Sequence, residues 1–136
     1  MTRLAFVSPL PPATTGIADY SLEVTSLLAE RGSLTLDLFH DGEAVAPARL
    51  PRGCASHPAA TFLERHAVQP YDLALYQLGN GLCHAFQNDL LARVPGLLVL
   101  HDLVLHHSRA RMFLESEEAL AYSREPWNAA RRAATL

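Results

Sequence analysis

Four places in this chain of 136 residues combine residue types that can do chemistry. The first is Pro9–Tyr20, PLPPATTGIADY, where a glycine stands at the expected start of a helix. The free N–H groups of Gly16 and Ile17, together with the helix dipole, could hold a phosphate, and Gly16 would let a ligand come close to the backbone. The same residues also read as a glycine-containing turn capped by Thr14 or Thr15. Asp19 would oppose an anion, and neither a GxGxxG run nor a P-loop lysine is present. The second place is Tyr76–Gly81, YQLGNG. Gln77 and Asn80 could bond the hydroxyls of a sugar-like ligand, or Asn80 could simply make the turn after a strand. The third is His101-Asp102, an imidazole able to donate to or accept from a hydroxyl beside a carboxylate that can tune it; a structural histidine is the other reading. The fourth is His106-His107, which extends the third into HDLVLHH. Histidine and aspartate are metal ligands, but the spacing is not HExxH and no cysteine or further carboxylate completes a set, so no metal is expected.

These residues need elements to hold them. Arg3–Ser8 is an apolar run closed by Pro9, and Pro11 and Pro12 cannot extend a ladder, which predicts a first strand. Ile17, Tyr20, Val24, Leu27 and Leu28 recur at helical spacing up to Gly32, placed as a C-terminal cap. Thr35–Phe39 alternates and reads as a second strand. Residues 40–58 carry Gly42, Pro47, Pro51, Gly53 and Pro58, and read as a surface loop. A short helix over Ala60–His66 precedes Asp72–Leu78, a strand apolar on both sides and therefore suited to a parallel sheet. Gly79-Asn80-Gly81 breaks it. Ala85, Phe86, Leu90 and Val94 mark another helix, and Leu97–Leu100 a further strand that runs into His101-Asp102. Strands alternating with helices predict an α/β fold with a parallel sheet. All four chemical places follow the carboxyl ends of strands or lie close beyond them, where open α/β sheets seat ligands. Arg109–Tyr122 reads as helical, Pro126 breaks it, and Trp127–Leu136 reads as a second helix, so residues 1–108 form one unit and 109–136 a helical extension.

Composition narrows the classes. With 49% hydrophobic and 18% charged residues, the chain belongs with globular rather than disordered proteins. A net charge of −3 provides no basic footprint for nucleic acid. No apolar run is long enough to span a bilayer, and Leu4–Val7 is too brief for a signal peptide, so a cytoplasmic chain is expected. Cys54 and Cys83 fall in different elements and imply no disulfide framework.

Three segments in order, LAFVSPLPPATTGIADYS at 4–21, YDLALYQLGNGLCH at 71–84 and PGLLVLHDLVLHH at 95–107, resemble retaining glycosyltransferases of the GT4 family. That family has a GT-B fold, two Rossmann-like domains facing across a cleft. The resemblance implies that this chain is the N-terminal, acceptor-side, Rossmann-like half. By position, Gly16 and Ile17 match the loop whose backbone approaches the donor diphosphate. His101 matches the histidine that faces the transferred sugar, Asp102 would support it, and Gln77 and Asn80 would line the acceptor side. Many members have two adjacent glycines in the first loop, where this chain has Thr15 before Gly16. The implied reaction moves a sugar from a nucleotide sugar to a hydroxyl acceptor with retention, with no cofactor beyond the donor and no required metal. The basic residues that clamp the diphosphate, and the paired-glutamate element, have no counterpart here. The isolated chain is therefore expected to be inactive and to depend on a C-terminal domain or a partner chain. The rival expectation is a non-catalytic Rossmann-like binding or interaction module.

Overall fold

A computed structural model describes residues 1–103 and 105 of the chain. Its elements are β1 (Thr2–Val7), α1 (Gly16–Glu30), β2 (Leu34–His40), β3 (Cys54–Pro58), α2 (Phe62–Val68), β4 (Leu73–Leu78), α3 (Phe86–Arg93) and β5 (Leu97–Leu100), with single 3-10 turns at Pro47–Arg49, Ala59–Thr61 and Leu82–His84. The five strands form one sheet in the order β3-β2-β1-β4-β5, and every pairing is parallel. This is an α/β, Rossmann-like parallel sheet with flanking helices. The expected helices after His106 and the His106-His107 pair lie outside the described residues. Among the described residues no helix is long and apolar enough to cross a membrane.

Period-two alternation sorts the side chains to two faces. Phe6 and Leu38 point to the side covered by α1 and pack with Leu10, Leu22 and Val45. Ala5, Val7, Phe39, Ala74 and Tyr76 point the other way and pack with Phe62 of α2 and Leu90 of α3. Central β1 is therefore buried on both faces from Leu4 to Val7. Helix α1 starts at a Thr15 cap, whose hydroxyl accepts from the Ala18 N–H at 3.1 Å. It ends where Gly32 turns the chain at φ +68°, the left-handed conformation that glycine adopts without strain.

One expectation is corrected. Residues 40–58 are not simply a loop, because Cys54–Pro58 adds a parallel strand to the edge of β2, from Leu36↔Cys54 to His40↔Pro58. Cys-Ala-Ser-His-Pro lacks alternation, and its pairing comes from β2 rather than from its own composition. A charged cluster lies beneath this edge. Asp37 accepts from the Tyr71 hydroxyl at 2.6 Å and faces Arg3 at 3.4 Å and His57 at 3.3 Å. The Arg3 guanidinium also lies 4.4 Å from the Tyr71 ring centre. A carboxylate set among apolar neighbours is tolerable because its oxygens are occupied. Burial first, and then the bond to Asp37, pushes the Tyr71 phenol up to about 12.

Candidate functional site

The strand order reverses between β1 and β4, so their outgoing loops separate and leave a crevice at the carboxyl ends of the strands. The β1–α1 loop brings Gly16, Ile17 and Tyr20 to one side. The β4–α3 turn brings Gln77, Asn80 and His84 to the other, and the end of β5 adds His101 and Asp102.

The first loop is anchored below by the Ser8 N–H on the Phe39 carbonyl at 3.0 Å and by a 2.7 Å bond between the Ser8 and Ser21 hydroxyls. Gly16 and Ile17 are the first two residues of α1, where N–H groups have no partner within the helix. A Cβ built on Gly16 would meet nothing within 4 Å, so packing does not demand glycine there and the helix start is open to approach. Asp19 faces the exposed Arg49 at 3.2 Å. That guanidinium partly offsets the carboxylate, although an exposed pair is worth little.

Gly79 is crowded. A Cβ there would lie 2.6 Å from Ile17 Cδ1, 2.8 Å from His84 Nε2 and 3.3 Å from Asp102 Oδ2. The helix start, the turn and the end of β5 thus meet on the backbone of one residue. Asp102 Oδ2 accepts the Asn80 N–H at 2.6 Å, and the His101 N–H donates to the Leu78 carbonyl at 2.8 Å. The His101 imidazole is exposed, yet held on two sides. Its Nε2 is 2.6 Å from Gln77 Oε1, and its ring meets Tyr20 edge-on with centres 5.1 Å apart.

The structure therefore brings Ile17, Gln77, Asn80, His101 and Asp102 together, with Gly16 at the rim. Gln77 is buried, with its side-chain oxygen turned to His101. The carboxylate of Asp102 meets the turn at Asn80.

Sequence reasoning passed over three members of this neighbourhood. His84 is buried with Nδ1 3.0 Å from the Gln77 carbonyl, and Gln87 donates to that same oxygen at 2.8 Å. Burial holds the His84 imidazole below its ordinary range; the Gln77 bond and Asp102 work against this, while His101 adds to it. Tyr20, read as a spacing residue of α1, is 42% exposed and flanks His101. The signals were weak: His84 closes the segment YDLALYQLGNGLCH, and nothing local says that a polar residue will be buried. No protein family, curated protein or solved structure matches the chain. Among the described residues no group of three or more His, Cys, Asp or Glu is placed to hold a metal.

The arrangement offers a fixed imidazole, a carboxylate, and the start of a helix around a crevice at a strand-order reversal. It can bind hydroxyl groups at His101 and Asp102 and an anion at Gly16 and Ile17, and the imidazole can move a proton.

Proposed function

We propose that this chain is the acceptor-side, N-terminal domain of a GT-B glycosyltransferase, which transfers a sugar from a nucleotide sugar to a hydroxyl acceptor with retention. The observation that carries the reading is the convergence of all three family-like segments on one crevice: Gly16 and Ile17 from the first, Gln77 and Asn80 from the second, His101 and Asp102 from the third. In this reading the donor diphosphate approaches the N–H groups of Gly16 and Ile17, and a second Rossmann-like domain supplies most of the donor contacts. His101 faces the reacting sugar and the acceptor hydroxyl. No metal is required, and the leaving-group charge is stabilised mainly from the second domain.

The test uses the protein encoded by the complete reading frame, assayed for transfer from a panel of nucleotide sugars to hydroxyl acceptors. Transfer with retention is expected, and His101→Ala should lower it about 100-fold or more, the range of a lost acid–base group. Absence of transfer across the panel, or full turnover in His101→Ala, would overturn the assignment.

A second reading, a non-catalytic interaction module, draws on β5, where Leu97 is 52% and Leu100 49% exposed. It predicts a partner chain covering that strand and no change in nucleotide-sugar binding on substitution of Gly16.

A further inference from the structure

Gln77 is 1% exposed and sits between two imidazoles, one on each of its oxygens. We propose that Gln77 is a positioning residue that holds His84 and His101 in opposite tautomers, leaving Nδ1 of His101 as the nitrogen offered to a ligand.

The main-chain side is fixed by chemistry. A carbonyl oxygen has no proton to give, so the 3.0 Å contact from His84 Nδ1 requires the proton on Nδ1 and leaves Nε2 as the lone pair. Gln87 must turn its amide nitrogen to the same carbonyl, at 2.8 Å. Its own amide oxygen is then buried with no hydrogen-bond partner among the described residues. With the proton on Nδ1, the 3.2 Å approach of Gln87 Nε2 to His84 Nδ1 sets two donors side by side, both aimed at the Gln77 carbonyl.

The side-chain side works in the opposite sense. Gln77 Oε1 accepts at 2.6 Å from His101 Nε2, which must carry the proton. Among the described residues no hydrogen bond reaches His101 Nδ1. Tyr20 packs edge-on against the ring at an interplanar angle of 79°, which opposes rotation of the imidazole away from Gln77. In the neutral ring the free lone pair is therefore on Nδ1, the atom able to accept a hydroxyl proton. What Nδ1 does in sugar transfer rests on the glycosyltransferase reading; the tautomers themselves do not.

The experiment is a long-range proton–nitrogen correlation spectrum of the full chain with labelled histidine, recorded at about pH 8, above the ordinary imidazole range. His84 should show its proton on Nδ1 and His101 on Nε2, so the two act as references for each other. In Gln77→Glu a carboxylate, which can only accept, replaces the amide and should keep the proton on His101 Nε2. Gln77→Leu should speed exchange of the Nε2 proton with water about tenfold, the worth of one net hydrogen bond. A wild-type proton on His101 Nδ1 that moves to Nε2 in Gln77→Glu would show the amide reversed and overturn the proposal. Unchanged exchange in Gln77→Leu would overturn it as well. If that variant does not fold, wild type against Gln77→Glu still decides. Correct tautomers in a protein that transfers no sugar would sink the transferase reading and leave the positioning role standing.

Discussion

Adding one methyl group at Gly79 and one at Gly16 has opposite consequences. At Gly79 the methyl carbon would press on Ile17 and on the His84 ring, which the Gln77 carbonyl keeps from yielding. Gly79→Ala is expected to cost about 1–3 kcal/mol, as overpacking of a closed site does, with the loss read as a lower urea midpoint at unchanged slope. Gly16 has open space and an ordinary φ. There the same change should leave the midpoint level or raise it slightly, since alanine has the better helix propensity. Weaker nucleotide-sugar binding by Gly16→Ala without any loss of stability would then mark this glycine as kept for a ligand. Thr15→Ala removes the cap on Ala18 and should cost about 1 kcal/mol. His84 and Gln87 were illegible to sequence reading for a physical reason. A buried polar side chain is acceptable only where a partner waits, and the Gln77 carbonyl becomes that partner after the chain has folded.

At the scale of elements, β5 carries His101 and is seated by Gly96. A Cβ on Gly96 would fall 2.1 Å from the Ala74 carbonyl oxygen, which is backbone of β4 and cannot turn aside. Gly96→Ala should therefore push β5 away from β4 and cost about 3 kcal/mol or more, measured by thermal denaturation. The His101 imidazole signal should shift with it, because the His101 N–H hangs on Leu78. Strands β1, β4 and β5 were legible as short apolar runs bounded by proline or glycine, β2 by its alternation, and helix α1 by apolar spacing near 3.6. β3 was not, since an edge strand borrows its order from its neighbour. The crevice itself could be placed from the rule that ligands collect at carboxyl strand ends. The bond between Gln77 and His101 could not, because it depends on the parallel register that sets Gln77 beside Val99, two residues before the histidine.

The molecule as a whole should answer to alkali through its two buried phenols. Tyr71 and Tyr76 are both pushed up to about 12, with burial the first cause in each, and Tyr71 is raised further by its bond to Asp37. Raised values favour the protonated, folded form. Their contribution is intact below about pH 10, where a free tyrosine begins to ionise, and is lost as pH rises through about 12. Phenolate absorbance should thus show Tyr71 and Tyr76 titrating later than a free tyrosine, with the urea midpoint falling over that window. In Tyr71→Phe the fall should be shallower. A second property of the whole lies in its sheet order. Residues up to α2 build one side of the crevice and residues from β4 onward build the other. Their strands pair along the β1–β4 seam, from Leu4↔Leu73 to Val7↔Tyr76, and their side chains pack across it, Phe62 with Tyr76 and Leu90 among them. Cut between Gln69 and Pro70, the chain would give two pieces, each with half of the His101 neighbourhood: Tyr20 on one, Gln77 and the imidazole on the other. Neither piece could report a complete crevice until the two had found each other, which makes this protein a natural candidate for a split sensor whose readout is reassembly.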